Sequence, residues 1–206
     1  MIDTRDKILT KALELFNENG IEYTGMRELA AILNMRVGNI TYYFATKDHL
    51  VFSLSEQYSA LNSQIHTDNP VTSLYEFLKK ASLLYENGIE YRCLMLSMVH
   101  IMQQNPMIAE RYKEVQNMRS QGLQRNIQTL VTSKHLILKS VDEQWFLVSA
   151  NSLINRFWMS EAAISGKRGD LTGQVNHYLK LLAFLFRPYA SKKGVGDLEQ
   201  FLGEMG

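Results

Sequence analysis

The sequence predicts an all-α protein. Apolar residues return at three- and four-residue intervals over nearly the whole 206 residues, the period of one helix face against a core. No stretch alternates apolar and polar side chains as a half-buried strand would, and no fixed-period repeat or low-complexity tract appears. About nine helices are expected. Residues 1–47 should form a three-helix head containing a helix-turn-helix, 48–190 a larger helical domain, and 191–206 a flexible tail.

Thr4 to Asn19 reads as the first helix, capped by Asp3 or Thr4, with Ile8, Leu9, Ala12, Leu13, Leu15 and Phe16 on one face and Gly20 ending it. Residues 26 to 44 read as two short helices joined by a tight turn, the arrangement that lays one helix in a DNA major groove. Ala30 supplies a small side chain where the helices cross, and Leu29, Leu33, Met35, Ile40 and Tyr43 are spaced to form a shared miniature core. Asn34 stands where the chain must reverse, a left-handed position that suits Gly and, after it, Asn. A helix from about Val37 to Phe44 would then expose Arg36, Val37, Asn39, Thr41 and Tyr42. Arg suits guanine edges and Asn adenine edges, and the Tyr42 hydroxyl suits a phosphate. Thr24 is expected to cap the second helix.

Thr46 should cap a long connecting helix through Leu50, Val51, Leu54, Tyr58 and Leu61 to about Gln64. After a break at residues 66–70, Pro70 in a first helical position leads to Leu74, Phe77, Leu78, Ala81 and Leu84, and Gly88 closes the segment. Ile89 to Gln104 reads as one buried helix, and Asn105-Pro106 starts another that reaches Val131. Ser140 or Asp142 caps a helix to Ile164, Gly166 to Gly169 link it onward, and Leu171 to Phe186 forms the last long helix.

Over its first fifty residues the chain resembles the tetracycline-repressor (TetR) family of bacterial one-component regulators. The resemblance rests on the leading amphipathic helix, Gly20-Ile21-Glu22-Tyr23-Thr24, Met26-Arg27-Glu28-Leu29-Ala30, Gly38, the aromatics ending at Phe44, and Thr46-Lys47-Asp48-His49-Leu50. Two departures are Asn34, where the family often has Gly, and Thr41-Tyr42-Tyr43-Phe44, where it often has an aromatic pair before His-Phe. The resemblance implies a homodimeric repressor of double-stranded palindromic operator DNA, with Lys47 at a helix N-terminus meeting a phosphate. It also implies that the Thr24 hydroxyl touches a phosphate and that the second part houses a small-molecule effector.

Composition is compatible with a soluble globular protein, with no apolar run near the ~20 residues that span a bilayer. The N-terminal residues lack a signal-peptide pattern, so the expected compartment is the cytoplasm. The single cysteine, Cys93, fits a small buried hydrophobe. Over residues 1–50, six Lys/Arg face seven Asp/Glu, a balance of −1. DNA binding would therefore rest on a few placed cations and helix termini, with the acids turned away.

Met95, Met98 and Met102 fall at helical spacing with Tyr91 and His100 nearby, and Phe157 and Trp158 lie on a later helix; together they are candidates for an apolar effector pocket. A core stripe is the alternative. Trp145, Val148, Phe157, Leu179, Leu182 and Phe186, on the last two long helices, are candidates for a four-helix dimer seam or for the subunit's own core. His49, His66, His100, His135 and His177 have no metal-ligand spacing, and Gly194-Val195-Gly196 makes no nucleotide-binding turn, so neither metal nor cofactor is expected. No nucleophile elbow, paired helical His or kinase-type glycine loop supports an enzyme, and none is expected; a dimeric scaffold or partner-regulated factor with weak DNA binding is the other alternative.

Overall fold

The computed structural model describes residues 3–67, 71–166 and 171–205, with residues 66 and 67 as backbone only. Among them are eleven α-helices: α1 Thr4–Asn19, α2 Met26–Ile32, α3 Val37–Tyr43, α4 Lys47–Thr67, α5 Leu74–Glu90, α6 Arg92–Leu96, α7 Met98–Gln104, α8 Pro106–Thr132, α9 Val141–Ser165, α10 Leu171–Phe186 and α11 Lys192–Gly203. A single 3-10 turn, Arg187–Tyr189, follows α10. No helix among the described residues is long and apolar enough to cross a membrane.

The chain folds into two compact units, residues 1–61 with 91–113, and residues 62–90 with 114–206. The first is larger than the expected 1–47 head. Its core joins Ile8, Leu9, Ala12, Leu15 and Phe16 of α1 to Leu29 and Ala30 of α2, Ile40 of α3 and Leu50, Val51 and Leu54 of α4. Tyr91, Cys93, Leu94, Ile101 and Ile108 complete it. Burial pushes the Cys93 thiol up to about 12, so it remains an unionised, apolar filler.

The predicted helix over Ile89–Gln104 is broken twice, which accounts for one of the two extra helices. Tyr91 (φ −103°, ψ 34°) and Ser97 (φ −93°, ψ 11°) leave helical geometry. Side chains from the head capture the freed groups. The Cys93 amide donates to Asn17 Oδ1 at 3.0 Å, and the Ser97 hydroxyl donates to the Glu22 carboxylate at 2.9 Å. Gly88 does not close the preceding segment either; it is buried inside α5. The expected caps at Thr46 and Ser140 form, accepting from the His49 and Glu143 amides, and Asn105 Oδ1 accepts from the Ile108 amide beside the initiating Pro106. Pro70 and Gly169 lie outside the described residues.

The second extra helix is α11, which replaces the flexible tail expected over 191–206. Ser191 caps it, its hydroxyl oxygen accepting from the Lys193 and Gly194 amides, while Leu198 and Phe201 are buried. Asp197 accepts the Leu74 amide at the start of α5 (2.9 Å) and pairs with the buried His135 ring. Glycine content suggested fraying, but Gly194 is there for space: a Cβ would stand 2.1 Å from the His135 carbonyl oxygen.

Gly194→Ala should therefore lower unfolding stability by about 2 kcal/mol or more. Gly196→Ala, in the same helix with nothing within 4 Å of a new Cβ, should raise it by about 0.5 kcal/mol. Urea denaturation of both variants checks the pair, and equal effects would remove the packing role of Gly194.

Candidate DNA-binding surface

The reversal between α2 and α3 follows from two backbone hydrogen bonds. The Met35 amide donates to the Ala30 carbonyl at 2.9 Å and the Asn34 amide to the Ala31 carbonyl at 3.1 Å, the paired bonds of a Schellman end. Asn34 takes φ 52°, as its position requires. Leu29, Ala30 and Ile40 are sealed from water, and Leu33 and Met35 pack partly against them.

The helix so presented, α3, carries no acidic residue. Arg36, Val37, Asn39, Thr41 and Tyr42 are all exposed, with Tyr42 at 84%. Tyr43, expected to pack inward, is 38% exposed and meets Tyr42 edge-to-face at 5.1 Å. It is a surface residue the sequence reading missed, because a seven-residue helix is too short for its periodicity to separate neighbouring flanks. The Thr41 hydroxyl donates back to the Gly38 carbonyl at 3.2 Å. Lys47 occupies the first position of α4, where partial burial lowers its pKa while Glu22 and Asp48 raise it.

Thr24 is a correction. Gly25, not Thr24, holds the cap position of α2; Thr24 is 2% exposed and its hydroxyl donates to the Gly20 carbonyl at 3.0 Å. Closing the loop after α1 accounts for its hydroxyl, and no direct path to a phosphate remains.

A family profile of bacterial regulatory proteins, tetR family, matches residues 8–54, and a second, of TetR bacterial transcriptional repressors, matches residues 54–198. The chain belongs to the TetR family. A probable HTH-type transcriptional regulator of Bacillus subtilis (strain 168), YttP, is 40% identical over 62 residues, covering 28% of this chain and 30% of that protein. The match thus spans under a third of that relative's length. Among solved structures, a TetR-family regulator from Marinobacter aquaeolei VT8 shares the fold at TM-score 0.88 with 20% identity over 99% of both chains. CprB from S. coelicolor A3(2) does so at TM-score 0.68 with 16% identity over 98% of this chain and 97% of that one. SmeT, solved as a triclosan complex, gives TM-score 0.64 with 14% identity over 92% of each.

In this TetR-family chain the seven pocket candidates are divided between the two units. Tyr91 and Met95 are buried in the first unit, where the Tyr58 hydroxyl donates to Met95 Sδ at 3.4 Å and the Tyr58 and Tyr91 rings lie 5.4 Å apart. Met102 packs on that core, Met98 is half-buried and His100 is exposed. Phe157 and Trp158 belong to the second unit, Trp158 buried and Phe157 partly exposed. The inferred spacing assumed one straight helix, and the breaks at Tyr91 and Ser97 remove it.

The seam candidates divide as well. Val148, Leu179, Leu182 and Phe186 are buried in the second unit, where the Phe186 ring meets Phe77 at 5.2 Å, so they are core. Trp145 remains exposed and is joined by Phe146, Leu153 (59%) and Phe157 on α9 and by Leu181 and Phe184 (48%) on α10. Among the described residues no group of three or more His, Cys, Asp or Glu could hold a metal.

Asn34→Ala should lower the stability of the protein by about 1 kcal/mol, since a Cβ-bearing residue without a side-chain amide is strained at positive φ. Asn34→Gly should be neutral or stabilising. Thermal denaturation distinguishes them, and an Ala variant as stable as the parent would remove the left-handed turn.

Proposed function

We propose that the protein is a ligand-responsive repressor that acts in the cytoplasm as a homodimer, with residues 1–47 of each subunit binding one half of a palindromic operator. The observation that carries this reading is the acid-free helix α3, held outward by the Asn34 turn with Arg36 at its N-terminal end. Arg36 and Asn39 offer the donor and acceptor patterns for base edges, Val37 and the Thr41 methyl apolar contact, and Tyr42, Tyr43 and Lys47 phosphate contacts.

Two such helices enter successive major grooves only if a dimer holds them about 34 Å apart. The apolar side chains exposed on α9 and α10 support that assembly, because a lone subunit would leave Trp145, Leu153, Phe157, Leu181 and Phe184 in water. Ligand control is supported by the fold shared with SmeT, solved as a triclosan complex, and with a γ-butyrolactone receptor. To reverse a 1:99 preference, a ligand must favour the non-binding state by about 5.5 kcal/mol.

Fluorescence anisotropy with the gene's own upstream DNA tests the DNA reading. Affinity should fall steeply with salt, and Lys47→Ala should weaken all sequences alike and reduce the log–log salt slope by about 1. Arg36→Ala should cost about 1–3 kcal/mol and relax the preference at one base pair. Binding that ignores salt, or no binding at low ionic strength, ends the proposal.

Sedimentation tests the seam. Leu153→Arg with Phe184→Arg should give a folded monomer that releases the operator, whereas Leu182→Ala should keep the dimer and lose about 2–5 kcal/mol of stability. A double variant that stays dimeric moves the interface elsewhere.

A further inference from the structure

Two surface segments of the second unit concentrate positive charge. Residues 131–141 and 187–196 carry Lys134, Lys139, Arg187, Lys192 and Lys193 and no Asp or Glu, in a chain whose net charge is only +1. Hydrogen bonds hold the two segments together. The Ile137 amide donates to the Tyr189 carbonyl at 2.8 Å, the Ser191 amide to the His135 carbonyl at 3.0 Å, and the Ser191 hydroxyl to the Lys134 carbonyl at 2.6 Å. Along this junction runs an open groove of ≈ 490 Å³, lined by Leu136, Ile137 and Leu138 and by Lys134, Lys192 and Lys193. Its size lies in the range of small-molecule sites.

The groove offers apolar surface to water, since Ile137 is 61% exposed. Its lysines have no anionic partner in the fold. None of the three makes an ion pair among the described residues, and Lys193 Nζ reaches only the Ser133 carbonyl, at 3.5 Å. Asp197, the first acid of α11, is engaged by the His135 ring and the Leu74 amide. Lys134 also stands in a left-handed conformation, φ 61°, where the chain leaves α8 and the His135 amide donates to the Leu130 carbonyl at 2.8 Å. Gly or Asn takes that conformation at less cost than Lys, and strained positions of this kind gather at functional sites.

We propose that this groove binds a free amphipathic carboxylate, a medium-chain aliphatic acid, with its tail along Leu136, Ile137 and Leu138 and its head among Lys134, Lys192 and Lys193. One short apolar groove beside unpaired cations suits one tail and one anionic head. An alcohol of equal length would forgo the lysines, and an ammonium would be repelled by them. The site lies on the surface of the second unit and requires neither the DNA nor the effector reading.

The probes are hexanoate, octanoate, 1-octanol and octylammonium, titrated calorimetrically into the intact protein without DNA. Octanoate should bind at least about fivefold tighter than 1-octanol or octylammonium, and its margin over the alcohol should shrink as salt rises to about 0.5 M. Each CH₂ added between hexanoate and octanoate should tighten binding by about two- to fourfold. Lys192→Gln with Lys193→Gln should remove most of the margin, and Ile137→Glu, at an exposed position, should abolish octanoate binding. Lys134→Gly should weaken octanoate while raising the Tm by about 2–4 °C, so that the weakening is not a loss of fold. The proposal is overturned if octanoate does not bind, if 1-octanol or octylammonium binds as tightly, if the margin ignores salt, or if all three variants bind octanoate as the parent does. Should a variant fail to fold, the comparison of the three eight-carbon probes on the parent decides alone. Cosedimentation with phosphatidylglycerol vesicles in the absence of octanoate binding would give the patch to a membrane surface, and that result also overturns the proposal.

Discussion

Close approach of α2 and α3 around Ala30, with the chain reversed over three residues, is the constraint on which the presented surface depends. Each helix has seven residues, well short of the ~12–15 that hold a helix together in water. Neither persists without burial of Leu29, Ala30 and Ile40 against α1 and α4. The left-handed residue at Asn34 is tolerable because two backbone hydrogen bonds close around it and because an asparagine side chain accepts that conformation better than most. The Arg5 guanidinium, 5.1 Å over the Phe44 ring and donating to Ser53 Oγ at 3.4 Å, fastens α1 to the end of α3 and to α4.

The chain crosses between the two units at residues 61/62, 90/91 and 113/114. Two crossings lie inside α4 and α8, which are continuous through them. The returning segment, residues 91–113, is bonded to the elements that frame α3. Asn17 accepts from the Cys93 amide, Glu22 from Ser97, and Asn105 Nδ2 donates to the Asp48 carbonyl at 3.1 Å. Partial burial lowers the pKa of Lys47, and the charge of Glu22 opposes that shift. A shift of α6 and α7 would thus reach the start of α4 through discrete hydrogen bonds, which exist in one arrangement or another and do not stretch continuously.

The head was legible in sequence because its signals are local. The turn residue Asn34, the cap at Thr46, Pro106 at a helix start and the apolar face of α1 all act within four residues of themselves. What was not legible depends on distant partners. The breaks at Tyr91 and Ser97 answer to Asn17 and Glu22, and the order of α11 to His135 and Leu74. On α10 apolar residues run almost all round the helix: Leu179, Leu182 and Phe186 are buried, while Leu181 and Phe184 between them are exposed. Periodicity cannot divide a helix that carries apolar residues on two faces.

A chain of net charge +1 must bind a polyanion without a broad basic field. On the proposed reading, cation placement compensates for number. Glu22 is engaged by Ser97, Glu14 by Lys11, and no acid lies on α3. Arg36 and Lys47 sit at helix N-termini, where backbone dipoles reinforce them. Each phosphate neutralised adds about 0.9 to the salt slope, and one head offers few. Symmetry doubles the set on a single duplex and makes the second head's encounter intramolecular. On that reading the apolar stripes of α9 and α10 and the sparse cations of α3 and α4 are two halves of one requirement, a weakly charged head and the pairing that lets it hold an operator.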